Sequence, residues 1–274
     1  MSTRAGLPAE ASDLIDIDAL IDAYYDRKPD ATIPEQRVVF GTSGHRGSSL
    51  RTSFNEDHIL ATTQAIVDYR TEQGLTGPVF LGRDTHGLSR PAERTAIEVL
   101  VANGVTVLAD SRDSWVPTPA LSHAILAHNR NLAADDPRRA DGIIVTPSHN
   151  PPADGGFKYN PPHGGPADTD ATNWIADRAN ALISAGLEFV KRTRFADIAA
   201  GVVATYDFRD AYVRDLASII DMPAIKASGV PFRMPDAAER GVRLAAVLHV
   251  LYLIFNEGYT ASSGPALHRV DLSN

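Results

Sequence analysis

Cysteine is absent from the 274 residues, which excludes disulfide scaffolds, thiolate metal sites and cysteine nucleophiles and is compatible with a reducing compartment. Positive charge is in deficit, with 26 Lys+Arg against 34 Asp+Glu and a net charge of −8. A nucleic-acid binder that works through bulk positive charge is therefore excluded, and no direct nucleic-acid partner is expected. Long apolar runs are also missing. The longest, Val242 to Phe255, contains Arg243 and His249 and is shorter than the roughly 20 residues that span a bilayer. The opening MSTRAGLPAEASDLIDID lacks the apolar core of a secretory signal. A soluble, cytoplasmic chain without membrane contact is expected. What is present, 43% hydrophobic and 22% charged residues, suffices for an ordinary buried core in one large domain or two smaller ones.

Along the chain, Leu14, Ile17, Leu20, Ile21, Tyr24 and Tyr25 fall at helical spacing before a Pro-bearing linker, giving an N-terminal helix and linker over 1–35. Arg37 to Phe40 reads as a strand opening into the glycine-rich turn Gly41-Thr42-Ser43-Gly44-His45-Arg46-Gly47. Ser53 and Glu56 form a capping-box pattern for a helix that Gly74 closes. Strands at Val79–Leu81, Val105–Ala109 and Gly142–Thr146 alternate with helices at Pro91–Asn103 and about Pro119–His128, and Asp170–Ala185 is a further helix. Such alternation predicts a layered α/β sheet, and strands apolar on both faces predict helices on both sides. Thr205 to Ala227 reads as helical, with a second domain starting about residue 201.

The most informative segment is Asp141 to Pro166, DGIIVTPSHNPPADGGFKYNPPHGGP. It leaves a buried strand straight into a loop fixed by Pro and Gly, at the strand end where open α/β sheets bind ligands. Ser148 lies there. It is no hydrolase nucleophile, because its flanks at two residues are Thr146 and Asn150 rather than glycines. The Walker pattern Gly-x-x-x-x-Gly-Lys-Ser/Thr is absent, and Gly41-x-x-Gly-x-x-Gly is not a dinucleotide fingerprint. A phosphoryl group carried by Ser148 would need cations, and Arg46, Arg83 and Lys158 each follow a strand or lie on the serine loop. Arg83-Asp84 could equally order neighbouring loops. His45, His86 and His163 show no ligand spacing and are weak candidates for direct catalysis.

The motifs VVFGTSGHRG, GRDTHGLS, VPTPALSHAI and GIIVTPSHNPPADGGFKYNPPHGGPADTDAT, in this order, strongly resemble the N-terminal domain of the α-D-phosphohexomutases, most closely the bacterial phosphoglucomutase branch, over about residues 10 to 230. The resemblance implies a three-layer α/β/α domain I over 36–200 and the truncated start of a similar domain II over 201–232. It implies an intramolecular phosphotransferase of carbohydrate metabolism that interconverts glucose 1-phosphate and glucose 6-phosphate through a bisphosphate. It also implies that Ser148 is the phosphoserine and, through its phosphoryl oxygen, a Mg2+ ligand. Lys158 would support proton transfer, Arg46 would contact the transferring phosphoryl group, and His149 would shape the site. Thr42, Ser43, Arg83 and Asn150 would bind substrate or phosphate. Glucose 1,6-bisphosphate is the implied primer and hexose phosphates the implied partners.

The family's Asp-Gly-Asp-x-Asp-Arg metal loop is absent, so the other Mg2+ ligands are missing and weak or no turnover by the chain alone is expected. After Val230 the text changes to PFRMPDAAERGVRLAAVLHVLYLIFNEGYTASSGPALHRVDLSN. This tail, residues 233–274, resembles the helical extension of some extracytoplasmic-function sigma factors, and the join near Gly229 to Met234 suggests a rearranged or fused locus. Its apolar positions from Leu244 to Phe255 would pack on the domain II remnant or drive self-association. A non-catalytic protein whose tail docks on transcription machinery is the alternative.

Overall fold

The computed structural model describes residue 10, residues 14–41 and residues 44–228. The expected tail helix and the proposed contacts of Thr42 and Ser43 lie outside the described residues. Two units divide the chain. The larger, Ile15–Tyr212, contains the whole sheet. In the smaller, the described residues after Tyr212 finish one helix and form a 3₁₀ turn and the short helix Met222–Ala227.

The sheet has six strands, β1 (His45–Gly47), β2 (Val79–Arg83), β3 (Val107–Asp110), β4 (Asp141–Val145), β5 (Gly155–Asn160) and β6 (Ala204–Tyr206). Their order is β1-β5-β4-β2-β3-β6. The pairs β4–β2, β2–β3 and β3–β6 are parallel, whereas β5 is antiparallel to both β4 and β1. The fold is thus the expected α/β/α class. The central strands β2, β4 and β5 are buried along their whole length, as a sheet covered on both faces requires.

Helices α1 (Ile17–Asp26), α2 (Glu56–Glu72), α3 (Ser89–Ala102) and α5 (Thr169–Ser184) share one core with Val79, Leu81, Ile143, Val145, Phe157 and Tyr159. Because side chains alternate along a strand, the intervening residues face α4 (Thr118–Asn129). A Cβ on Gly142 would meet Leu121 and Ile125 of α4, and Phe80 stacks edge-on with His128.

Three local expectations are corrected. Arg37 to Phe40 is not a strand, since only Phe40 makes a bridge, to His45, and the strand is His45–Gly47 instead. Exposed Val39 alternating with buried Val38 marks an edge segment. Helix α2 is capped by Asn55, whose N–H donates to His58 Nδ1 at 3.0 Å. Ser53 Oγ is engaged by the Ser48 backbone instead. The helix expected from Thr205 begins at Phe208, because Ala204–Tyr206 pair with β3 as an edge strand. The sheet therefore runs past residue 200, and a boundary at 201 would separate β3 from its edge partner.

Candidate phosphoserine site

Strand β4 ends at Val145 and the chain turns through Thr146, Pro147 and Ser148 at the carboxyl end of the parallel strands. Ser148 has φ +66°, and the His149 N–H donates to the Pro147 carbonyl at 3.1 Å. This is a γ-turn with an exposed serine at its centre, a backbone conformation that a non-glycine residue adopts only under constraint. The Ser148 N–H is itself held by Thr146 Oγ1 at 3.0 Å.

The chain then returns as β5, so Lys158 lies on a strand rather than on the loop where it was expected. Its Nζ donates to Ser148 Oγ at 2.6 Å. The register explains the meeting. Lys158 pairs with Ile144, while Gly156, two residues earlier on the same face, pairs with Arg46 of β1. Arg46, expected in a turn, thus belongs to a strand and projects on the same face as Lys158. Its Nε donates to the Pro147 carbonyl at 3.2 Å. Close backbone approach makes this layout possible. A Cβ on Gly156 would lie 2.2 Å from the Thr146 carbonyl oxygen, and one on Gly44 would lie 2.6 Å from Lys158 Cγ.

Burial pushes the Lys158 ammonium down to about 8, helped by the neighbouring Arg46 charge and partly offset by Asp84. Near neutrality both protonation states are therefore accessible, which suits a group that exchanges protons with Ser148. His149 is exposed and Asn150 half-buried on the same loop.

Arg83 does not join this group. It pairs with Val145, one register position from Ile144, and so projects from the opposite face of the sheet to Lys158. Its guanidinium is buried and donates to the Ser114 carbonyl at 2.7 Å and to the Asp113 carbonyl and carboxylate at 2.8 Å. Glu93 completes its shell at 3.2 Å. Burial pushes the Glu93 carboxyl up to about 7, with Arg83 opposing and Asp113 reinforcing the rise. In this structure the Arg83 donors thus engage the segment after β3 and Glu93.

Residues the sequence leaves in the background are also part of the site. His86 reaches the Pro152 carbonyl at 2.7 Å, and Arg51 reaches Asp154 Oδ1 at 2.6 Å. Only the position of His86 within GRDTHGLS signals it. Buried His45, stacked against Phe54 and His58, is a packing residue, held neutral by burial at about 3. Among the described residues no three His, Asp or Glu side chains are grouped to hold a metal ion. The described residues do not by themselves fit Mg2+. No helix among the described residues is long and apolar enough to cross a membrane.

Residues 37–185 match the family profile of phosphoglucomutase/phosphomannomutase, alpha/beta/alpha domain I. A phosphoglucomutase of Komagataeibacter xylinus is 56% identical over 231 residues, covering 84% of this chain and 41% of that protein. A cytoplasmic phosphoglucomutase of Mesembryanthemum crystallinum is 30% identical over 201 residues, covering 68% of this chain and 34% of that protein. Among solved structures, one from Thermus thermophilus assigned as a phosphomannomutase superposes with a TM-score of 0.54 at 28% identity, covering 69% of this chain and 37% of that one. The chain spans about two fifths of the length of its Komagataeibacter relative. It carries the serine-bearing hairpin within the matched segment, and it belongs to the phosphoglucomutase/phosphomannomutase family through that family's domain I.

Proposed function

We propose that this chain supplies the phosphoserine chemistry of a phosphoglucomutase, with Ser148 alternately accepting a phosphoryl group from a hexose bisphosphate and returning it to a hexose monophosphate. The observation that carries the reading is the 2.6 Å contact from Lys158 Nζ to a serine hydroxyl held in a strained, exposed turn. In the accepting direction Ser148 Oγ bonds to phosphorus, the bond from phosphorus to the sugar oxygen breaks, the hydroxyl proton passes to neutral Lys158, and the leaving sugar oxygen takes up a proton from water to become the hexose hydroxyl. In the return direction the sugar hydroxyl attacks phosphorus and gives its proton to water, the bond from phosphorus to Ser148 Oγ breaks, and Ser148 Oγ recovers its proton from Lys158. Positioning and spread of negative charge over Lys158 and Arg46 are the contributions such a transfer needs most.

Asn150, on the same loop, is assigned to substrate or phosphate contacts, as are Thr42 and Ser43, and His149 to shaping the site around Ser148. Glucose phosphates are the assigned substrates, since the relatives named above include phosphoglucomutases from a bacterium and a plant. A cytoplasmic setting follows the name of the plant relative. Mg2+ and the glucose 1,6-bisphosphate primer belong to this reading as family partners. With no carboxylate group for the metal among the described residues, unaided turnover is expected to be far below that of a complete mutase. Residues 36–200 are assigned to domain I, extended by β6, with domain II beginning after it.

The rival reading, a non-catalytic protein whose tail docks on transcription machinery, is not favoured, because the comparisons above concern the mutase part. The deciding experiment is a single-turnover reaction of the 274-residue chain with glucose 1,6-bisphosphate and Mg2+. Stoichiometric release of glucose monophosphate, lost in Ser148→Ala, is expected. Release that survives the substitution would sink the assignment.

A further inference from the structure

The loop from Thr146 to Asp154 has two limbs, and they are held differently. The first limb is fixed by its neighbours in the sheet, since the Asp84 N–H donates to the Val145 carbonyl at 3.0 Å and Arg46 Nε to the Pro147 carbonyl. The second limb has one backbone turn bond of its own, the Asp154 N–H on the Pro151 carbonyl at 2.9 Å, and enters β5 at Gly155, and the two side chains that reach it are His86 on the Pro152 carbonyl and Arg51 on Asp154. The Arg51 side chain is 62% exposed, so water screens its ion pair. His86 is half-buried and better fixed.

Both ring nitrogens of His86 are committed. A carbonyl oxygen only accepts, so Nε2 carries the proton given to Pro152, while Nδ1 accepts the Leu88 N–H at 3.2 Å. One tautomer satisfies both contacts. The turn beneath is anchored in its own right, with Asp84 Oδ1 accepting from the His86 N–H at 2.9 Å and from Ser89 Oγ at 2.6 Å. A strained residue such as Ser148 keeps its conformation only where its surroundings over-determine it. Between the first limb and the start of β5 at Gly155, the Pro152 carbonyl is where a side chain from the neighbouring turn, His86, fixes the loop.

We propose that His86 is a positioning residue for Ser148, holding the second limb of the loop through the Pro152 carbonyl so that the strained turn keeps the serine hydroxyl against Lys158. The functional arm of this inference rests on the phosphoryl-transfer reading, and its structural arm does not.

The test uses the full chain, whose four lysines are Lys28, Lys158, Lys191 and Lys226, labelled with carbon-13 at Cε for NMR titration. Ser148→Ala defines the Lys158 titration without the serine contact. In His86→Ala the Lys158 titration is expected to move toward that of Ser148→Ala, with the other three lysines unchanged. Ser148 phosphorylation by glucose 1,6-bisphosphate is expected to slow about tenfold or more, the scale of a misplaced reacting group. His86→Gln, which restores an amide donor, is expected to recover both. Should the Ala variant fail to fold, His86→Leu fills the space without a donor and is read the same way. A wild-type Lys158 titration and a phosphorylation rate within about twofold in the donor-less variant would overturn the proposal. If the wild-type chain accepts no phosphoryl group, the functional reading falls, and the lysine titration alone decides the role of His86.

Discussion

Lys158 and Ser148 are ten residues apart yet touch at 2.6 Å, because β5 folds back antiparallel on β4 and brings the lysine opposite Ile144. In the proposed reaction this contact would hand the serine proton to a lysine that burial holds near 8. Phosphoryl acceptance by the free hydroxyl needs the neutral amine, so its rate is expected to rise with pH through about 8 and then level. A rate profile across that window checks this, and Lys158→Met is expected to flatten it.

The same lysine weighs on stability. Its folded value lies below the ordinary 10.5, so the folded state resists protonation more than the unfolded chain does. The penalty is complete below about 8 and fades as pH rises from there toward 10.5. Lys158→Met is therefore expected to gain stability over the wild type at pH 7 while losing Ser148 chemistry, with the gain shrinking as pH rises. Thermal melts at pH 7 and pH 10 compare the two.

Strain at Ser148 gives a separate expectation. Ser148→Ala keeps the positive φ of +66°, whereas Ser148→Gly relieves a cost of about 1–2 kcal/mol and gives back roughly 0.4–1 kcal/mol through a freer unfolded chain. The glycine variant is expected to be the more stable by about 0.5–1 kcal/mol. Denaturant titration of the two variants measures the difference.

Gly156 lies where the hairpin closes on itself. A Cβ there would meet the Thr146 carbonyl at 2.2 Å, and backbone cannot yield as a flexible side-chain tip can. Gly156→Ala is expected to cost about 1–3 kcal/mol and to weaken the contact between Lys158 and Ser148. Equilibrium unfolding and the lysine titration report the two effects.

At the other end of β4, buried Asp141 pairs with Arg70 and accepts the Tyr159 hydroxyl at 2.7 Å. Burial pushes the Asp141 carboxyl up to about 6, against the opposing pull of Arg70. Removing Arg70 strands a buried charge, so Arg70→Met is expected to cost about 3–5 kcal/mol at pH 7. Adding Asp141→Asn is expected to recover part of that loss. A double-mutant cycle of unfolding free energies checks both statements.

Much of the larger unit is legible from sequence. Apolar strands such as Ile143 to Val145 and helices closed by Gly74 and Gly104, both at positive φ, announce themselves through periodicity and end signals. Strand β5 does not, because the run Gly155-Gly156-Phe157-Lys158 has two glycines and a lysine where a strand pattern expects branched residues. Those glycines serve close backbone approach, which no one-dimensional pattern reports. Edge strand β6 is likewise absorbed, in sequence, into the helix that follows it. At the site, Ser148, Lys158 and Arg46 stand out through motif and chemistry. The placement of Arg83 is not legible because its face depends on register, and His86 is inconspicuous because its partner, a backbone carbonyl 66 residues away, leaves no mark in composition.

The most direct test is intact mass and peptide mapping of the purified 274-residue chain after incubation with glucose 1,6-bisphosphate and Mg2+. One added phosphoryl group on Ser148 is expected, absent in Ser148→Ala and strongly reduced in Lys158→Met. No addition, or addition at another residue, would contradict the assignment of Ser148 as the phosphoryl carrier.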